Sequence, residues 1–190
     1  MKATSLHLDH DIISREGPLV FYFKDIWWLC QFDRVQQSRF RKNTPKSVDL
    51  IVEAETQVLF IEIKDPSKAE RKQVLTKQNR DSLRDYLSSG LLSEVGAKLF
   101  DTFDNLHPIP SGGKPSTTNP LSKSWLFILF VGDEKLRETT GGFLDAIQIE
   151  LSKHIRANSL SKYGFEIVSE CLVLDSKSWN RCLDHAVERI

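Results

Sequence analysis

No apolar run in the chain approaches the roughly 20 residues that a bilayer span requires. The longest, residues 125–131 and 26–30, are of strand length, so no membrane span is predicted. Charge of one sign is not in excess: 26 Lys and Arg balance 26 Asp and Glu. The strong basic surplus that often marks a stand-alone nucleic-acid binder is therefore missing. Cysteine is sparse, with Cys30, Cys171 and Cys182 an odd number without CxxC spacing. That excludes a disulfide scaffold, and all three are expected to be reduced structural thiols. None of the five histidines pairs at ligand spacing, which argues against a zinc or His-metal site. The N-terminal residues lack both an apolar signal core and an Arg-rich targeting bias, and the expected location is cytoplasmic.

What is present is enough for a core. The chain has 190 residues, 40% of them hydrophobic, with 11 Phe, 4 Trp and 3 Tyr. This content excludes general disorder and fits one domain spanning residues 1–190. Residues 19–33 hold two β-rich runs around Lys24 and Asp25, which read as a hairpin or as one long bent strand. Trp27 and Trp28 fall in the second run on opposite strand faces; the core is the expected place for both, the alternative being that one of them stacks a base or covers a helix. After a basic connection, residues 48–53 and 58–64 form a second strand pair. Asp65 and Pro66 mark a helix start for residues 67–89, and Gly90 separates this from a second helical piece over 91–103. Residues 104–124 hold four of the seven prolines and Gly112-Gly113, the signature of a long flexible loop, whether partner-binding or simply disordered.

Residues 125–131 then read as a strand buried on both faces. Phe143, Ile147, Leu151 and Ile155 recur at four-residue steps and predict an amphipathic helix. A strand over 165–174 and a closing helix over 176–190 complete the chain. The fold class is α/β, a mixed β-sheet flanked by helices, with antiparallel hairpins first and helical crossovers later.

The residues that carry chemistry are Asp49, Glu62 and Lys64. Side chains alternate along a strand, so Glu62 and Lys64 project to one side while Ile61 and Ile63 enter the core. With a loop over residues 54–57, opposed residues have numbers that add to 111, which sets Asp49 opposite Glu62. Two facing carboxylates repel, and Lys64 offsets only part of their charge. A divalent cation resolves this, and hard oxygen ligands without Cys or His favour Mg²⁺ or Mn²⁺. Mg²⁺ held by few carboxylates implies a phosphodiester substrate. There the metal would activate water and Lys64 would orient or deprotonate it.

The string Ser47-Val48-Asp49-Leu50-Ile51-Val52, followed by Phe60-Ile61-Glu62-Ile63-Lys64, resembles the PD-(D/E)XK, or restriction-endonuclease-like, nuclease superfamily. The resemblance covers roughly residues 10–135 and departs from the pattern in having Val48, not Pro, before the aspartate. It implies an αβββαβ core and metal ligands Asp49, Glu62 and the main-chain carbonyl of Ile63, with Lys64 as the catalytic lysine. It also implies an acid on the first helix, for which Glu16 is best placed and Asp9 and Asp11 are rivals. A Gln or Lys after the motif, here Gln78 with Lys77 and Ser82 nearby, would touch phosphate or water.

Local charge fits a nucleic-acid substrate. Between Arg39 and Arg84 eleven Lys and Arg face seven Asp and Glu, and residues such as Arg39, Arg41, Lys42, Lys46, Lys68 and Arg71 could track phosphates. The sequence-based reading is a metal-dependent endonuclease acting on DNA, with RNA the second candidate. A homodimer or a partner subunit would supply specificity in a DNA-processing, antiviral defence or mobile-element assembly. The alternative is a catalytically inactive nuclease-fold subunit that binds nucleic acid or a protein. Other chemistries lack their motifs: Ser111-Gly112-Gly113-Lys114 runs into Pro115 without a P-loop frame, and no GxSxG or HExxH occurs.

Overall fold

The computed structural model describes residues 12–16, 19–31, 46–64, 90–106, 123–132, 142–183 and 185–189. Along the chain these form β1 (Ile12–Glu16), β2 (Leu19–Phe23), β3 (Ile26–Gln31), β4 (Leu50–Ala54), β5 (Gln57–Lys64) and α1 (Leu91–Leu106). Then come β6 (Ser124–Val131), α2 (Phe143–Tyr163), β7 (Glu170–Leu174), α3 (Ser176–Cys182) and β8 (Ala186–Arg189). The expected α/β class holds, with a mixed five-stranded sheet of order β3-β4-β5-β6-β7. Its first three strands pair antiparallel, and β5, β6 and β7 run parallel. Parallel strands need crossovers, which α1 and α2 provide on a shared face of the sheet.

That face buries Ile51, Phe60, Phe127, Leu129, Val131 and Val173 against Leu91, Val95, Leu99 and Phe103 of α1 and Ile147, Leu151 and Ile155 of α2. In both helices these residues recur every four positions, forming the apolar stripe that drives a helix onto a sheet. The opposite face buries Leu50, Val52, Leu59, Ile61, Ile128 and Phe130 against Leu19, Phe21 and Phe23 of β2 and Trp179 of α3. Strand β6 is buried from Leu126 to Val131, as its unbroken apolar run requires. Helix α2 stops at Gly164, whose φ of 76° only glycine adopts easily and whose N–H reaches Leu160 O at 3.1 Å. Helix α3 is short but well capped: Ser178 N–H donates to Asp175 Oδ1 at 2.7 Å, and Asp175 N–H to Ser178 Oγ at 3.0 Å.

Four expectations are corrected. Residues 19–31 are not a hairpin: β2 pairs with β1 and β8 in a separate three-stranded sheet, while β3 pairs with β4. The chain crosses between sheets at Asp25, whose φ of 52° makes the corner. The closing helix ends at Cys182, and residues 186–189 form β8 against β2; the strand expected over 165–174 begins only at Glu170. Trp27 and Trp28 are not core but 55% and 39% exposed. The β3–β4 register shifts between Ile26 and Trp28, and such a bulge at an edge strand turns side chains outward.

Helix α1 runs to Leu106, three residues into the expected loop. The helix expected over 67–89 and residues 107–122 of the loop lie outside the described residues, and β6 already begins at Ser124, the last residue of the expected loop. The three cysteines form no disulfide, with Cys171 buried and Cys182 exposed; burial pushes the Cys171 thiol up to about 12. None of the described helices is long and apolar enough to cross a membrane.

Candidate active site

The β4–β5 hairpin has the expected register: Leu50 faces Ile61, Ile51 faces Phe60, Val52 faces Leu59 and Glu53 faces Val58. One further step sets Asp49 opposite Glu62, on the face that carries Ile51, Phe60 and the helices. At this point the chain leaves the ladder. Val48 N–H turns to Thr102 Oγ1 of α1 at 3.0 Å, and the Asp49 carboxylate takes the place of a backbone partner, its Oδ2 accepting from Ile63 N–H at 2.6 Å. A strand residue sends its N–H and C=O out of the same edge, so the Ile63 carbonyl faces the gap that Asp49 fills.

Glu62 is 0% exposed. Its Oε1 receives two ammonium groups, Lys98 of α1 at 2.6 Å and Lys64 at 3.0 Å. Its Oε2 is buried without a hydrogen-bond partner. Burial, reinforced by the Asp49 charge, raises the Glu62 carboxyl to about 7, and the two lysines offset this only in part. Burial works to lower the pKa of Lys64. The carboxylates of Glu62 and of Glu94, the latter 2.6 Å away on α1, outweigh it and hold the ammonium above its ordinary range.

The structure thus brings together Asp49, Glu62, Lys64 and the Ile63 backbone. It adds three residues of α1 that the sequence reading missed. Glu94, Lys98 and Thr102 stand at four-residue steps, each reaching a different point of the strand ends: Lys64, Glu62 and the Val48 N–H. In sequence, Glu94 and Lys98 look like an ordinary i, i+4 surface pair; only the docking of α1 shows that both turn to the sheet. Glu16 ends β1, a strand of the three-stranded sheet and not the helix expected to carry it. Gln78, Lys77, Ser82, Asp9 and Asp11 lie outside the described residues. Of the eleven basic residues between Arg39 and Arg84, the described residues hold Lys46 and Lys64.

No group of three or more His, Cys, Asp or Glu side chains able to hold a metal occurs among the described residues. The donor set present is two carboxylates and a backbone carbonyl. It still fits a hard divalent cation, because Glu62 Oε2 is a buried anionic oxygen with no donor and Asp49 adds a second negative charge on the same face. Comparison with known proteins adds no assignment: no family model, no curated protein and no solved structure matches the chain. Fold and site together define an α/β protein with a buried, carboxylate-rich charge cluster at the C-terminal end of β5.

Proposed function

We propose that this protein is a metal-dependent nuclease of the PD-(D/E)XK kind that hydrolyses phosphodiester bonds of DNA, acting with a second copy or a partner subunit that supplies specificity. The observation that carries the reading is the end of the β4–β5 hairpin. There, two carboxylates on one face, one with an unpartnered buried oxygen, stand beside a lysine two residues along the strand. The succession of three antiparallel strands, a helix and a parallel strand, β3 to β6, also agrees with the βββαβ part of the implied core. Asp49, Glu62 and the Ile63 carbonyl would hold Mg²⁺ or Mn²⁺. When bound, such an ion lowers the pKa of water and neutralises charge developing on phosphoryl oxygens.

The remaining roles belong to the chain. Asp49 stays in register through the Ile63 N–H, so the two carboxylates move with one strand pair. Lys64, paired with Glu62 and Glu94, would orient or deprotonate the attacking water. Glu94 is the residue that fixes the direction of that ammonium. Helix α1 thereby serves as the back wall of the site.

The alternative, a nuclease-fold subunit that binds without cutting, is favoured by one observation: the described residues contain no three-acid metal cluster. Incubation of the protein with supercoiled plasmid and labelled single-stranded DNA in Mg²⁺, Mn²⁺ or EDTA separates the two, with Lys64→Ala as control. Nicking that needs the metal and disappears in the variant supports the nuclease. Binding without cleavage in every metal supports the alternative.

A further inference from the structure

Three carboxylates, those of Asp49, Glu62 and Glu94, share the site with two ammonium groups, and the ammonium groups are not equivalent. Lys64 is divided between Glu94 at 2.6 Å and Glu62 at 3.0 Å, so it keeps a counter-ion of its own if Glu62 is engaged elsewhere. Lys98 has a single ion-pair partner among the described residues, Glu62 Oε1 at 2.6 Å. It reaches that oxygen from α1, whereas Glu62 lies on β5. Glu62 is shut off from solvent, where an ionised carboxylate needs a cation beside it. A dication on the same carboxylate would stand a few ångströms from the Lys98 ammonium and repel it.

We propose that Lys98 is the resident cation of this site, occupying Glu62 until a divalent ion displaces it, so that metal binding is an exchange of one cation for another. The inference rests on the proposed metal-dependent reading of Asp49 and Glu62 and adds to it a device that sets metal affinity. An occupied carboxylate lowers apparent affinity by the fraction of molecules in which it is free. The exchange also releases the Lys98 ammonium on α1, free to meet a substrate phosphate.

The test is a calorimetric titration of the full chain with Mn²⁺, for wild type, Lys98→Met, Lys98→Gln and Lys98→Arg, beside thermal unfolding in EDTA and in Mn²⁺. The exchange requires Lys98→Met and Lys98→Gln to bind Mn²⁺ roughly tenfold more tightly than wild type. Their melting temperatures should fall in EDTA and rise more on adding Mn²⁺ than that of wild type. Lys98→Arg, which keeps the charge, should stay close to wild type in both. Equal or weaker Mn²⁺ binding by the Met and Gln variants, with wild type binding normally, overturns the exchange and leaves the metal site standing. Absence of Mn²⁺ binding in wild type and variants alike overturns both.

Discussion

Both ends of the β4–β5 hairpin set a carboxylate against a lysine at hydrogen-bond distance, yet only one end is left with unspent charge. At the turn end, Lys123 donates to Glu53 Oε1 at 2.7 Å and to Ala54 O at 2.8 Å, and its ammonium lies 3.9 Å from the ring centre of Trp27. One acid meets one base, the base is covered by an indole, and Glu53 keeps 32% of its side chain in water. At the other end Glu62 is wholly buried, its second oxygen has no donor, and Asp49 adds to the negative charge beside it. Balanced pairs of the first kind hold a fold together and contribute little beyond that. An unbalanced buried cluster costs stability, and such costs collect where a protein does chemistry.

The largest effect that separates the two ends is on cleavage. Asp49→Asn should lower metal-dependent plasmid nicking on the order of a thousandfold, the scale on which loss of a charge-stabilising group acts. Glu53→Gln, at the turn end, should leave nicking within about twofold of wild type. Equal losses in the two variants would erase the distinction.

A second effect is on stability against pH. The folded-state value of Glu62, about 7, lies above the ordinary 4.5, so between these values the folded chain holds a proton that the unfolded chain releases. Metal-free stability is therefore greatest below pH 4.5 from this group and is lost as pH rises through 7, by about 3 kcal/mol in all. Urea unfolding in EDTA at pH 5 and pH 7.5 should show the fall, and Glu62→Gln should flatten it.

Much of this was legible in advance, for local reasons. A short connection and strict alternation fix the pairing of β4 with β5, so residue numbers alone set Asp49 against Glu62 and put Glu62 and Lys64 on one face. The two-sided burial of β6 and the stripe of α2 were equally plain from their patterns. What escaped depends on contacts distant in sequence. Lys98 and Glu62 are 36 positions apart, and no periodicity in α1 says which charged residues turn inward. The β8 strand is marked only by its pairing with β2, more than 160 positions upstream. The exposure of Trp27 and Trp28 follows from one bulge that composition does not announce.

Smaller effects sharpen the role of α1. Thr102→Val removes the acceptor of the buried Val48 N–H and should cost about 1–2 kcal/mol in chemical denaturation. It should also lower cleavage, because Val48 is what turns the chain at Asp49. Lys123→Met should cost only about 1 kcal/mol and change Trp27 fluorescence without touching cleavage. A larger loss of activity in Lys123→Met than in Thr102→Val would mean that the turn end matters to the site after all.

The most direct test is to incubate supercoiled plasmid with wild type and Glu62→Gln side by side in Mn²⁺ and in EDTA, after checking that both are folded. The account predicts nicking by wild type in Mn²⁺ alone and none by the variant. Nicking that survives Glu62→Gln or EDTA, or a folded wild type that never nicks, would contradict it.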